Sequence, residues 1–492
     1  MRVLVIGAGM SGMLMGIRLL EAGIESFEIL EKAASVGGTW RENTYPGLAC
    51  DVPAYLYTYS FEPNPECSHR YARGPEIQAY FERVFEKHGL ARYTRFGREV
   101  EAARWEDGAW TVTTKDGERR RADVLVAATG VLHHPKLPDI PGLDSFEGAA
   151  FHSARWDHRA PLDGSRIGVV GTGSTAVQIV SALADRASKL SLFQRTAQWV
   201  LPAFDADYGE SSKAILRRFP SLARLLHHGY AAYFDGVLGG GFGTERRLFF
   251  AAFETLAERH LATVRDPELR RKLTPDYRLG CKRFILSDRF YEAIQGPHSE
   301  LVTEGIERVE ARGVRTRDGR LHELDVLVLA TGFHARAFMR PMAIEGVDGT
   351  TLESAWADGV YAHRSVALPA FPNFFMLQGP NSPIGNYSLI KIAEIQSAYV
   401  MAILERIRRG ELATVMPRKD VTDRLARELR EAAEHTVWKA AGCTSWYLDE
   451  RGNLGVWPFT LERFGREMRT PRFEELELDG PATLSSSMRP GA

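Results

Sequence analysis

The 492-residue sequence has no excess of charge of either sign, because 62 Lys and Arg residues oppose 63 Asp and Glu residues. Without a basic field the chain has no general attraction to nucleic acid, which is therefore not expected as a partner. Cysteine is also scarce: Cys50, Cys67, Cys281 and Cys443 are widely scattered, with no CxxC pair and no metal-ligand spacing. This usage favours a reducing, cytoplasmic setting and predicts no metal site.

Long apolar runs are missing as well. The most apolar candidate, within 216–255, is interrupted by charged side chains such as Arg217, Arg224 and Asp235. A transmembrane helix needs about 18 or more apolar residues, so none is expected. The run RVLVI near the N-terminus ends in a glycine turn and is interpreted as a strand, not a leader. A peripheral membrane contact at 216–255 is an alternative to the favoured role of pocket lid.

What the sequence does contain is an ordinary globular composition, with 44% hydrophobic residues, 45 Gly and 24 Pro. This composition excludes a disordered, collagen-like or disulfide-stapled chain. The length is too great for one ordinary core and predicts roughly two to four domains.

Two segments share one order of strand, glycine turn, helix and strand. The first contains GAGMSG at 7–12, and the second contains GTGSTA at 171–176. In such βαβ units the glycine backbone and the helix N-terminus receive a pyrophosphate. The duplication predicts an α/β protein with two Rossmann-like dinucleotide-binding domains.

Two further apolar strands, DVLVAATG from Asp123 and DVLVLATG from Asp325, end alike. The second lies after the second glycine turn yet is similar to the closing strand of the first domain, so we expect the second domain to be inserted into the first. A Leu-, Phe- and Arg-rich stretch with helical spacing and a GGGFG break at 239–243 predicts a helical insertion. The expected parts are a first domain at 1–145 and 331–480, a second domain at 146–330 with its insertion at about 205–275, and a flexible tail at 481–492.

The residue at the end of the second strand of each βαβ unit distinguishes the two sites. Glu31 follows Gly12 by nineteen residues, where a carboxylate can accept hydrogen bonds from both hydroxyls of an unmodified ribose. Arg195 follows Ala176 by the same nineteen, and a guanidinium there suits a 2′-phosphate, with Thr196 adding a hydroxyl. A solvated surface arginine is the alternative. One site of each kind implies FAD together with NADPH.

Longer motifs carry a resemblance to a known family. GGTWRENTYPGLACD at 37–51 resembles the GGxWxxxxYPGxxxD signature of Baeyer–Villiger monooxygenases, and FEGAAFHSARWD at 146–157 resembles their FxGxxxHxxxW(P/D) fingerprint. CKR at 281–283 resembles the segment that supplies the active-site arginine of this family. The match extends to about residue 460. The chain is thus identified as similar to these class B flavoprotein monooxygenases, which are related to flavin-containing monooxygenases.

The resemblance implies a reaction. NADPH reduces FAD, reduced FAD adds O₂ to form a C4a-peroxyflavin, and this peroxide inserts one oxygen atom beside a ketone carbonyl to give an ester or lactone. Both the peroxide and its adduct are anionic, so a fixed cation is expected to stabilise the transition state. Arg283 is the candidate cation, and Asp51 is expected to orient it, although Asp51 could instead cap its loop. The alternatives are nitrogen or sulfur oxygenation and a catalytically silent nucleotide sensor.

The remaining candidates follow from the turns and the resemblance. Those expected at FAD are Gly7, Gly9, Gly12, Glu31, Gly38, Thr39, Trp40, Asp51, Tyr57 and Val100. Those expected at NADP are Gly171, Thr172, Gly173, Ser174, Thr175, Gln178, Arg195, Thr196 and Lys282. Trp446 and Asn381 are candidates on the substrate or NADP side, with ordinary burial equally open for Trp446. Phe146, Gly148, His152 and Trp156 of the fingerprint are expected to pack a linker; a proton-transfer role for His152 is the less favoured alternative. Linkers near 131–160 and 330–340 are expected to act as hinges.

Overall fold

The computed structural model describes residues 1–237, 247–385, 387–440, 443 and 445–479. The GGGFG break and the tail at 481–492 fall outside these residues. The strands are β1 Val3–Ile6, β2 Phe27–Leu30, β3 Thr94–Arg95, β4 Val100–Glu106, β5 Ala109–Thr114, β6 Arg119–Ala122, β7 Val124–Ala127, β8 Ala149–His152, β9 Arg166–Val170, β10 Lys189–Phe193, β11 Val200–Leu201, β12 Ile285–Leu286, β13 Ser299–Val302, β14 Ile306–Glu310, β15 Gly313–Thr316, β16 Leu321–Glu323, β17 Val326–Leu329, β18 Ala343–Glu345, β19 Phe374–Met376, β20 Val415–Pro417 and β21 Leu476–Leu478.

The helices, in the same order along the chain, are α1 Met10–Glu21, α2 Thr39–Glu42, α3 Gly74–Lys87, α4 Ser174–Leu183, α5 Glu210–Arg218, α6 Pro220–Val237, α7 Arg247–Leu261, α8 Pro267–Leu273, α9 Phe290–Ile294, α10 Leu352–Ala355, α11 Leu389–Arg408, α12 Lys419–Ala433, α13 Val437–Ala440 and α14 Leu461–Glu467. Tighter helical turns lie at Leu90–Tyr93, Leu143–Ser145, Ser153–Arg155, Val347–Gly349 and Phe473–Glu475.

The first sheet has the strand order β19-β7-β1-β2-β3, and its neighbouring strands are parallel. Its central strands, VLVI and VLVA, are buried along their whole length. Continuous apolar runs of this kind suit a parallel sheet that is covered on both faces. Strand β19 belongs to this sheet although it lies far along the chain.

The second sheet has the order β13-β10-β9-β17-β8, again with parallel neighbours. All five strands fall between β7 and β19 in sequence. The chain therefore leaves the first sheet, builds the second, and returns to complete the first. This topology confirms the predicted fold class, with one Rossmann-like domain inserted into the other.

The helical insertion is also confirmed for the described residues, since α5 to α8 follow one another between β11 and β12. These two short strands pair with each other in parallel, so the insertion leaves and re-enters the second domain at one point. No helix within the described residues is both long enough and apolar enough to cross a membrane.

One covalent link was not indicated by the sequence. Cys281 and Cys443 form a disulfide across a sequence separation of 162 residues, while Cys50 and Cys67 are free and buried. The expectation of a reducing setting rested on cysteines scattered along the chain, but folding brings two of them together. The bond connects the segment of Arg283 to the segment that follows α13.

Candidate functional site

The first glycine turn joins β1 to α1 and leaves room for a phosphate group. Gly7 has φ +101°, and a Cβ on Gly12 would lie 1.8 Å from the Gly7 carbonyl oxygen, so neither position accepts a side chain. Gly9 is the N-cap residue of α1, and in the described part of the chain no capping side chain bonds the first N–H groups of this helix. The N–H groups and positive dipole of the first helical turn are thus available to a pyrophosphate.

Glu31 lies beside this turn at the end of β2 and is 4% exposed. Its carboxylate accepts hydrogen bonds from the backbone N–H of Ala8 at 2.8 Å and of Ala33 at 2.9 Å. The Arg41 guanidinium donates to it at 3.3 Å. A carboxylate has about four acceptor positions, so after these three contacts about one remains for a ribose hydroxyl. These contacts fix it next to the glycine backbone, as an adenosine ribose of FAD requires.

The loop of the first long motif covers the turn. A Cβ on Gly9 would lie 3.5 Å from the Gly38 Cα, which shows how closely the two glycine backbones approach. Thr39 and Trp40 begin the short helix α2, and the Trp40 indole donates to the Tyr57 hydroxyl at 3.1 Å. Burial raises the pKa of Tyr57 well above its usual range, so this phenol stays neutral. These residues, together with the buried Val100 at the start of β4, are those expected around FAD.

The second turn repeats this backbone before α4. Gly171 has φ +120°, and its Cβ would lie 2.3 Å from the Ala330 carbonyl oxygen. A Cβ on Gly173 would meet no described atom within 4 Å, so open space lies in front of the helix that begins at Ser174. The Thr172 hydroxyl donates to the Thr196 carbonyl at 2.7 Å and fixes the strand end beside Arg195. A pyrophosphate fits this space.

Arg195 and Lys282 form a pair of cations near the second turn. Partial burial and the positive charge of Arg195 both lower the pKa of Lys282, and Asp276 raises it by a smaller amount. The Lys282 ammonium lies 4.7 Å from the centroid of the Tyr277 ring. Within the described chain neither cation has an ion pair with a carboxylate. Two adjacent uncompensated cations suit the 2′-phosphate that distinguishes NADPH.

Gln178 was expected to contact NADP, but its amide bonds the other domain. The Tyr45 hydroxyl donates to the Gln178 Oε1 at 2.9 Å, and the Gln178 Nε2 donates to the Ala49 carbonyl at 3.0 Å. A Cβ on Gly47, which has φ +81°, would lie 2.5 Å from the Gln178 carbonyl oxygen. The YPG part of the signature therefore lets α4 pack against the first domain.

Arg283 and Asp51 meet where the domains join. The Arg283 Nε donates to the Asp51 carboxylate at 2.7 Å, and its Nη1 donates to the Gly385 carbonyl. The side chains of Arg283 and Asp51 are 32% and 31% exposed. Burial alone would lower the pKa of Arg283, but the neighbouring Asp51 carboxylate outweighs it and leaves the pKa above the ordinary value. The guanidinium is permanently charged and fixed from two directions.

These two residues border a cavity of about 800 Å³. Most of its remaining wall is apolar and aromatic, including Tyr230 and Phe234 of α6 and Phe253 of α7. The helical insertion thus forms a wall over the ion pair, as the lid interpretation predicts. A cavity of this size and lining accommodates an organic substrate beside a charged group.

Tyr447 also lines the cavity, although sequence reasoning selected its neighbour Trp446. Tyr447 is 1% exposed, and a Cβ on Gly385 would lie 2.5 Å from its hydroxyl. Burial raises its pKa, and the nearby Arg283 opposes that rise. Trp446 is 40% exposed, packs on the Tyr447 ring at 4.3 Å, and is not part of the cavity wall. The structure thus places Tyr447 in the cavity wall and Trp446 outside it.

Asn381 is buried and also lies outside the wall of the cavity. Its Nδ2 donates to the Leu454 carbonyl at 3.4 Å. The structure does not bring either Asn381 or Trp446 to the ion pair, and no described group of three or more His, Cys, Asp or Glu side chains could hold a metal ion.

The fingerprint residues pack the linker between the domains. The His152 Nδ1 accepts from the Ala154 N–H at 3.1 Å, so its Nε2 carries the proton and donates to the Gly332 carbonyl at 3.0 Å. Burial lowers the pKa of His152 and favours this neutral form. A Cβ on Gly148 would lie 2.4 Å from the Asp325 carbonyl oxygen and 2.7 Å from the Phe146 ring. Both ring nitrogens of His152 are engaged, which supports the packing role.

Trp156 completes this linker. It is 8% exposed and contacts the edge of Phe151 with ring centroids 4.9 Å apart. Its burial in the second-domain core suits an anchor of the linker between β8 and β9.

Known proteins show the same organisation. The family model described as flavin-binding monooxygenase-like matches residues 1–347. An uncharacterised monooxygenase of Mycobacterium bovis is 48% identical and covers 99% of this chain and 98% of its own length. A Baeyer–Villiger monooxygenase of Streptomyces coelicolor is 40% identical, with 98% and 93% covered.

A solved structure extends the comparison. Cyclohexanone monooxygenase from Rhodococcus sp. Phi1 bound to NADP⁺ is 27% identical, has a TM-score of 0.86, and aligns over 97% of this chain and 99% of that one. The glycine turns, the carboxylate of Glu31 and the cations Arg195 and Lys282 fit the FAD and NADPH of such enzymes, so the predicted cofactors are confirmed. The chain belongs to the flavin-binding monooxygenases, among their Baeyer–Villiger members.

Proposed function

We propose that Arg283, held by Asp51, is the catalytic cation of a Baeyer–Villiger oxygenation in the cavity between the domains. The enzyme inserts one oxygen atom from O₂ next to a ketone carbonyl and gives an ester or lactone, using FAD and NADPH. Reduced FAD supplies the activation of O₂ when it is bound. The observation that carries the proposal is a charged guanidinium, fixed by Asp51 and Gly385, at the edge of an otherwise mostly apolar cavity.

The chemistry needs a positive charge that does not reorient during the reaction. Negative charge develops on oxygen as the carbonyl is attacked, and a preorganised cation in a cavity with little water stabilises it. A guanidinium has five N–H donors, of which the contacts with Asp51 and Gly385 use two. Asp51 positions the group without neutralising its remaining donors. Tyr447, neutral beside it, completes the polar edge of the cavity.

The test uses the FAD-loaded enzyme with NADPH in air, a panel of ketones and one sulfide, with products identified by mass spectrometry. The wild type is expected to give ketone products heavier by one oxygen atom. Arg283→Ala should lower ketone oxygenation about 100- to 1,000-fold, the range seen when one charge-stabilising donor is removed. FAD content should stay unchanged.

The control is Arg218→Ala, which removes the same charge from the exposed surface of α5. Unchanged ketone oxygenation in Arg283→Ala would refute the assigned role. Products from the sulfide alone would instead support the nitrogen- or sulfur-oxygenating alternative.

We also propose the division into 1–145 with 331–480, 146–330, and a tail at 481–492, with hinges near 131–160 and 330–340. The His152 bond to Gly332 joins these two linkers and supports their coupled movement. An engineered disulfide across the linkers should slow turnover more than it weakens NADPH binding, and equal effects would contradict the hinge.

For location we propose the cytoplasm, where NADPH is supplied. The Cys281–Cys443 disulfide is compatible with this compartment because Cys281 is fully buried and so shielded from thiol reductants. Cell fractionation of the producing organism tests the proposal, and recovery outside the cytoplasmic fraction would refute it.

A further inference from the structure

A second arginine, Arg70, lies in the wall of the cavity that contains Arg283 and Asp51. Its backbone is fixed on two sides. The Arg70 N–H donates to the Ala206 carbonyl at 2.8 Å, and its carbonyl accepts from the Ala54 N–H at 2.7 Å. The residue thus connects the loop of Asp51 with the segment that leads into the helical insertion.

The side chain of Arg70 has no counter-ion in the described part of the protein. Its Nε is buried and has no hydrogen-bond partner among the described residues, and no described carboxylate lies within ion-pair distance. Arg70 as a whole is partly buried, but its Nε is not exposed, and a buried donor on a charged side chain is costly to leave without a partner. Arg70 therefore stands out in a wall that is otherwise mostly apolar.

The neighbouring carboxylates are already engaged elsewhere. Asp205 pairs with Arg73 at 2.8 Å, and Asp207 pairs with His69 at 2.9 Å. Asp288 accepts three backbone N–H groups of residues 203–205 at 2.8 to 3.0 Å. Among the described residues, the segment around Arg70 thus leaves its guanidinium without a carboxylate partner.

The cofactors also have other partners for their anionic groups. The pyrophosphates fit the two glycine turns, and the 2′-phosphate fits Arg195 and Lys282. An anion that reaches Arg70 must then belong to the molecule that occupies the cavity.

We propose that Arg70 is a specificity-determining residue that binds a carboxylate carried by the ketone substrate. The preferred substrates are accordingly keto acids with an apolar body: the carbonyl lies at Arg283, the apolar part against α6 and α7, and the carboxylate at Arg70. The inference rests on the proposed function and adds a substrate class to it. A guanidinium suits this task because it can hold both carboxylate oxygens in a fixed geometry.

The test compares para-acetylbenzoate with its methyl ester on the FAD-loaded enzyme with NADPH. The two ketones share one skeleton and differ in charge. The wild type should have the higher kcat/KM for the acid. In Arg70→Ala the kcat/KM for the acid divided by the kcat/KM for the ester should fall about 10- to 100-fold. The fall should come from a higher KM for the acid, as expected for a lost hydrogen bond to a charged group. Arg70→Lys should recover part of the ratio, and Arg218→Ala should keep it.

Binding gives a readout that needs no turnover. Calorimetry of para-acetylbenzoate on the enzyme loaded with FAD and NADP⁺ should show a matching 10- to 100-fold rise in Kd in Arg70→Ala, about 1.4–2.8 kcal/mol. The proposal would be overturned if Arg70→Ala changed neither the acid-to-ester ratio of kcat/KM nor the Kd for the acid. It would also be overturned if Arg70→Ala raised the KM for NADPH with both ketones. Binding of the acid without any oxygenated product from either ketone would instead count against the proposed reaction and leave the Arg70 site standing.

Discussion

The two glycine turns share one backbone path but differ in how the protein completes them. At the first, Glu31 is buried and already accepts three hydrogen bonds from the protein. At the second, Arg195 is exposed and lacks a described carboxylate partner. A carboxylate held by several protein hydrogen bonds suits a cofactor that stays bound. An exposed cation without a carboxylate partner suits a cofactor that enters and leaves in every cycle. The first turn therefore suits the resident flavin, and the second suits the exchanging nicotinamide cofactor.

The last residue of the two glycine motifs differs as well, Gly12 in the first and Ala176 in the second. Gly12 cannot carry a Cβ because the Gly7 carbonyl oxygen would be 1.8 Å away, whereas Ala176 at the matching position is fully buried without such a conflict. The helix of the first turn therefore approaches its own loop more closely than the helix of the second.

The largest effect is expected from Gly12→Ala. The added methyl group collides with backbone that has no flexible side chain to move, so the turn must open and FAD binding should be lost. The flavin absorbance per protein of the purified variant measures this. Ala176→Gly is the matched control and should keep its FAD, at a cost of about 1 kcal/mol in helix propensity. Full flavin content in Gly12→Ala would show that the two turns are equivalent.

The second-largest effect is expected from removal of the Arg195 guanidinium. Arg195→Ala should raise the KM for NADPH about 10- to 100-fold with little change in kcat, because a hydrogen-bonded charge pair with the 2′-phosphate is lost. The KM for NADH should stay the same, since NADH has no such phosphate. Steady-state kinetics with both nucleotides decides; equal increases for the two would mean that Arg195 does not recognise the phosphate.

The smallest effect concerns pH. Lys282 must be protonated to attract the phosphate, and its pKa lies below the ordinary lysine value because of partial burial and the charge of Arg195. As pH rises through that lowered pKa, Lys282 loses its charge and kcat/KM for NADPH should fall, while the value for NADH should not. In Arg195→Ala one cause of the lowering is gone, so the fall should move to higher pH. If the pH profile of kcat/KM for NADPH did not shift in Arg195→Ala, Arg195 would not be a cause of the lowered pKa of Lys282.

Sequence predicted what short motifs encode. The turns and the inserted topology follow from strings of adjacent residues whose local conformation fixes their use. Asp51 and Arg283 are 232 residues apart, and only the resemblance of both segments to one family joined them beforehand.

The rest depended on packing between distant segments. No local pattern indicates the place of Tyr447, the bonds of Gln178 to Tyr45 and Ala49, or an Arg70 Nε without a partner among the described residues. Gln178 lies on the helix of the second turn, so a nucleotide contact was the natural prediction. Whether its amide faces a ligand or another domain is decided by how closely α4 approaches Gly47.

The Cys281–Cys443 disulfide closes a covalent ring within the polypeptide. This ring contains both the end of the second domain and the return of the chain to the first sheet, including β17 and β19. A protease cut between these strands, at the linker near 330–340, would therefore yield two fragments that stay attached. They should migrate as one band in a non-reducing gel and as two after treatment with dithiothreitol. The connection of the arginine segment to the flavin domain thus does not depend on an intact linker.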